Sequence, residues 1–177
     1  MVKLAPLHPE QVTHFYTWLN DPEVIEYSLS VFQQLKTPPQ IDQWFAATLA
    51  QANTLNLGIY LAETNALIGY AGLTGISATN QSGEYFIFIG EKAQWGQGVG
   101  TAVTKQILEL AFTAHHLNRV MLTVSEGNTG GWRAYAKAGF VVEGRLRQAA
   151  CRQGVFHDKI VMSVLKADWQ LAGTAGC

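Results

Sequence analysis

Three glycines at alternate positions, Gly96, Gly98 and Gly100, sit between an apolar run and a helical pattern in GEYFIFIGEKAQWGQGVGT. Tyr85 to Ile89 is aromatic and β-branched throughout, as a strand covered on both faces should be. Behind the glycines, Val103, Ile107, Leu108, Leu110 and Ala111 recur at helical spacing. Glycines in such a turn let the backbone approach a ligand and aim several N–H groups one way. The helix start adds unpaired donors and partial positive charge. The chemistry this turn offers is anion binding, with phosphate the natural ligand. A P-loop would need Gly-Lys-Ser/Thr at the helix start, and the turn holds no lysine. A dinucleotide fingerprint would need glycine where Thr101 stands, near the start of a βαβ domain. A plain tight connection between strand and helix stays open on the turn alone.

Downstream, RVMLTVS from Arg119 to Ser125 reads as a second strand, followed by EGNTGGWRAYAKAGF. Two patterns now stand in order: Trp95-Gly96-Gln97-Gly98-Val99-Gly100, and Asn128 with Tyr135, Lys137, Gly139 and Phe140. Together they resemble the GNAT superfamily of N-acetyltransferases, whose phosphate turn runs Gln/Arg-x-x-Gly-x-Gly/Ala. Trp95 departs from that pattern at its first position. The opening WLNDPEVIEYS and the closing EGRLRQAACRQGVFHDKIVMSVL resemble the branch that acetylates ribosomal-protein N-termini, spermidine and related amines.

The resemblance implies an acetyl-CoA-dependent N-acetyltransferase working by direct attack of a primary amine in a ternary complex. The acetyl-CoA pantetheine arm would lie in a gap between the strands Tyr85–Ile89 and Arg119–Ser125. It assigns cofactor contacts to Phe88, Ile89, Gln97, Gly98, Val99, Gly100, Thr101 and Asn128, with Asn128 also suited to capping a helix. Tyr135 stands at the position of the general acid that protonates the departing sulfur. Glu84 is the first choice of base. Asp21 and Glu26 are alternatives that could attract a cationic amine. An alkylammonium has a reference pKa of about 10.4, so the attacking amine must lose a proton at neutral pH. The acceptor, whether a protein N-terminus or a small-molecule amine, is not specified. The other function the same fold could serve is a non-catalytic acyl-CoA sensor or interaction module; the intact Tyr135 favours the enzyme.

The elements needed to position these groups can be read along the chain. With 177 residues, 48% hydrophobic and 14% charged, the chain can bury one sizeable core. Net charge −1 and the lack of a basic run argue against a nucleic-acid partner. The sequence shows no signal segment or membrane-length apolar run, and Cys151 and Cys177 lack disulfide or metal spacing, so the expectation is a cytoplasmic protein without metal. Cys151 is expected to be a small buried strand residue. The histidines have no partner at ligand spacing.

A first strand is expected over 2–7, helices over 10–20 and 37–52, and a restart at Asp21-Pro22. Strands follow over 57–63, 67–76, 141–151 and 155–165, with 27–36 a loop or short helix. The domain is placed at residues 1–166, with 167–177 a short tail. The fold class is therefore α/β of the mixed α+β kind, and the resemblance sharpens it to a twisted mixed sheet of about six or seven strands flanked by about four helices. It also implies a homodimer.

Overall fold

A computed structural model describes residues 1–174. Seven strands form one sheet: β1 (Val2–Pro6), β2 (Leu55–Leu61), β3 (Leu67–Ser77), β4 (Ser82–Ile89), β5 (Arg119–Ser125), β6 (Val141–Arg152) and β7 (Val155–Leu165). Their order is β1-β2-β3-β4-β5-β7-β6. Every neighbouring pair is antiparallel except β4 and β5. That parallel pair needs a crossover, which α4 (Val99–Thr113) supplies.

Six helices accompany the sheet among the described residues, more than the expected four. The others are α1 (Val12–Trp18), α2 (Pro22–Ile25), α3 (Pro38–Ala50), α5 (Thr129–Lys137) and α6 (Lys166–Thr174). The surplus comes from α2 and α6. Asp21 caps α2 by accepting from Glu23 N–H at 3.0 Å, with Pro22 at the first helical position. Helix α6 begins at the boundary assigned to the tail, and its Trp169 ring packs 5.4 Å from Phe112. Residues 175–177, including Cys177, lie outside the described residues. None of the described helices is long and apolar enough to cross a membrane.

Alternation along β4 divides the interior in two. Tyr85, Ile87 and Ile89 face a core built on Val103, Ile107, Leu108 and Ala111 of α4. Phe86 and Phe88 face a second core under α1 and α3, where Phe15 touches the rings of Trp18, Trp44, Phe45, Tyr70 and Phe88. The expectation that this strand is covered on both faces is met, though Phe86, Ile87 and Ile89 keep partial exposure. The other sheet edge is different. Val141, Val155 and Phe156 of β6 and β7 are more than half exposed. Cys151, expected to be buried, is exposed too. It follows the buried Ala150 on an edge strand, so the alternation turns it outward.

Candidate active site

The site grows from a failure of pairing. β4 and β5 share only three register pairs, Ser82 with Arg119, Gly83 with Val120 and Glu84 with Met121. Beyond Glu84, β4 stays with β3 as far as Ile89, while β5 stays with β7 as far as Ser125. Each strand is held by its outer partner, so a wedge opens between them. The splay implied by the resemblance is present.

At the wide end of the wedge lies the glycine turn. Gly96 and Gly98 have φ of +73° and +80°, the left-handed region that glycine occupies without penalty. A Cβ on either would meet nothing within 4 Å, so both face open space. Gly98 is the N-cap of α4, which thus begins at Val99, one residue before the third glycine. The first backbone bond into the helix is Ala102 N–H to Gly98 O at 3.0 Å. Among the described residues, the amides of Gln97 to Thr101 have no protein acceptor. Trp95, the departure from the expected pattern, donates its indole N–H to Ile89 O at 3.0 Å. It closes the turn onto the end of β4.

The other wall is α5. Asn128 is its N-cap and accepts from Gly131 N–H at 2.9 Å, so its capping role is met. Two turns later Tyr135 points into the wedge, its ring 5.9 Å from Tyr85 and 6.2 Å from Phe140. The Tyr135 hydroxyl makes no hydrogen bond among the described residues, and burial pushes its pKa up to about 12. Tyr85 is fixed more tightly. Thr104 donates to Gly100 O at 2.6 Å, which leaves its oxygen to accept from Tyr85 at 3.0 Å. The first turn of α4 and the centre of β4 are thereby tied together beneath Tyr135.

These groups line neighbouring cavities. A cleft of about 340 Å³ is lined by Phe88, Ile89, Gly98 to Thr101, Asn128 and Tyr135. Gln97 borders that turn but does not line the cleft; its amide side chain donates to Ala93 O at 2.6 Å. A second cavity of about 230 Å³ is also lined by Tyr135, together with Glu84, Tyr85, Ser125, Arg152 and Lys159. Glu84 is exposed and sits at the fork, where the β4–β5 ladder ends.

Asp21 is not available to draw in an amine. Lys92 lies 2.8 Å from its carboxylate, and that hydrogen bond, more than the cap, holds its pKa below the usual carboxylate range. Glu26 does reach a cavity, one of about 670 Å³, with Tyr27, Lys36, Arg152 and His157. Tyr27 borders all three spaces and Arg152 two, yet neither stood out in the sequence. Nothing in the spacing around CRQGVF marks an inward-facing arginine.

A family model described as an acetyltransferase (GNAT) domain matches residues 2–141. The chain belongs to the GNAT acetyltransferase family. N-acetyltransferase YoaA of Bacillus subtilis, itself uncharacterized, is 28% identical over 86% of this chain and 85% of its own. YdaF of the same organism is 28% identical over 68% of this chain, and the match spans 64% of YdaF. Spermidine N(1)-acetyltransferase of Escherichia coli K12 is 29% identical over 55% of this chain and 52% of its own. Among solved structures, spermidine N-acetyltransferase from Vibrio cholerae in complex with CoA and spermine superposes with a TM-score of 0.85 at 20% identity, covering 96% of this chain and 98% of that one. At that identity the likeness speaks to the fold, shared along nearly the whole chain.

Proposed function

We propose that this chain transfers the acetyl group of acetyl-CoA to a primary amine by direct attack in a ternary complex. The observation that carries the reading is the wedge between β4 and β5. It brings a row of acceptor-free amides and an exposed carboxylate to two neighbouring cavities that share a tyrosine with an unengaged hydroxyl. When bound, acetyl-CoA supplies the activated acyl group as a thioester. The residues present fit it. The amides of Gln97 to Thr101 and the positive end of α4 suit its pyrophosphate. Phe88, Ile89 and Asn128 line the space left for the arm.

The division of labour follows from position. Glu84, at the fork, takes the proton of the attacking ammonium directly or through a water. Tyr135 keeps its own proton and presents it toward the leaving sulfur. The acceptor is a small-molecule or peptide amine entering by the Glu84 side. Relatives named for spermidine support an amine acceptor in general.

Thiol release from acetyl-CoA, followed over a panel of amines and N-terminal peptides, tests this. Tyr135→Phe should lower kcat by about a hundredfold or more, the usual contribution of one positioned hydrogen-bond donor to developing charge, while acetyl-CoA affinity holds. An unchanged kcat removes Tyr135 from the chemistry. Binding of acetyl-CoA without turnover of any amine points to a sensor or interaction module instead.

A further inference from the structure

Arg152 ends β6 with its guanidinium turned inward, and it is badly served there. Nη2 donates to Ser28 O at 3.0 Å, while Nε and Nη1 are buried without a hydrogen-bond partner. A guanidinium carries five N–H donors and cannot shed its charge near neutral pH. Two other arginines, nearer the surface, are treated differently. Arg119 is clamped by both oxygens of Glu143, and Arg145 bridges Glu126 and Asp158. Arg152 has no carboxylate within ion-pair distance among the described residues. Glu26 acts on it at longer range, and burial still depresses its pKa. Buried donors left open on a fixed cation mark a place for a missing anion.

The position says which anion. Arg152 lines the cavity that also holds Glu84 and Tyr135, and Lys159 joins it on the same wall. Strand register separates the charges. Glu84 is level with Met121 on β5 and Lys159 with Ser125, four residues on, or about 13 Å along the strand. One end of the cavity is acidic and the other is basic. A polycation would meet Arg152 and Lys159 as like charges, whereas an amine with an anionic far end matches both ends. Tyr27, exposed, borders this cavity and the two beside it.

We propose that Arg152 binds a carboxylate of the acceptor, so that the amine acetylated here belongs to a molecule that also carries a carboxylate, such as a short peptide. The proposal rests on the acetyltransferase reading for its reaction, but not for its binding site.

The experiment compares alanylglycylglycine with its C-terminal amide, and with spermidine as a cationic control. Wild-type protein, Arg152→Gln and Arg152→Lys are assayed for acetyl transfer, and binding of both peptides is followed by calorimetry with CoA present. Wild-type protein should favour the free acid over the amide by at least about tenfold in kcat/KM, mostly through KM, as a charged hydrogen bond gives. Arg152→Gln should erase the preference and Arg152→Lys retain part of it. Equal use of acid and amide by wild-type protein overturns the proposal without appeal to any variant. So does an equal loss for both peptides in Arg152→Gln, or a preference for spermidine, while the acetyltransferase reading stands in each case. Should no amine be acetylated, calorimetry decides alone: tighter binding of the acid that depends on Arg152 upholds the site and removes the reaction.

Discussion

Tyr135 holds its proton well past neutral pH, and that decides what kind of acid it can be. Its pKa of about 12 lies above the roughly 8.5 of a free thiol, so complete transfer to a thiolate would run uphill by about 5 kcal/mol. In the proposed reaction the phenol therefore acts as a hydrogen-bond donor to charge growing on sulfur, and stays a phenol. The pH dependence follows. The ratio of wild-type to Tyr135→Phe rates should stay flat from about pH 6 to about pH 10, because the protonated form is full throughout that span. A ratio that collapses with a midpoint near pH 8 would show that Tyr135 ionises in the working range. The residue was legible in the sequence because a spaced motif marks it. Arg152 was not: its importance comes from three strands and a loop converging on it, and no local pattern encodes a missing partner.

At the scale of elements, the wedge is a consequence of strand partnership and of how α4 begins. Gly98 caps α4 at φ +80°, with open space where a Cβ would go. Gly98→Ala thus meets no steric clash, only the cost of holding an L-residue in the left-handed region, about 1–2 kcal/mol. Thermal melts should register that loss, and calorimetry should show a larger proportional fall in acetyl-CoA affinity, since any relaxation of the cap turns the following amides away. A variant that binds acetyl-CoA normally would show that the turn does not hold the pyrophosphate. The periodic elements, α3, α4 and most strands, were readable because a buried stripe imposes its spacing on the sequence. The one-turn α2 and the 3-10 turn at Ser30–Gln33 are too short to carry a period. Cys151 was misplaced because burial of an edge strand depends on whether anything covers it, which the strand's own residues do not record.

Across the whole molecule, both faces of the sheet are sealed by phenols that resist ionisation. Tyr70 lies in the aromatic core under α1 and α3, and Tyr85 and Tyr135 lie on the side of α4 and α5. Burial raises all three pKa values above the ordinary 10, with Tyr135 adding to the shift of Tyr85. The sign follows from linkage. Above pH 10 the unfolded chain releases these protons while the folded chain keeps them, so the folded state binds more protons and stability falls as pH rises. Each such tyrosine lowers stability by about 1.4 kcal/mol per pH unit until its folded pKa is reached, and three together by about 4. A domain near the lower end of the ordinary range, about 5–8 kcal/mol, would then unfold near pH 11–12. Tyrosinate absorbance and circular dichroism, recorded on the same alkaline titration, test the coupling. Three of the six tyrosines should ionise in a single step that coincides with loss of structure. Smooth ionisation of all six ahead of unfolding would mean that solvent reaches the wedge and the aromatic core freely. The raised pKa of Tyr135 would then go with it, because that shift and the burial of Tyr85 arise from the same packing of α5 against α4.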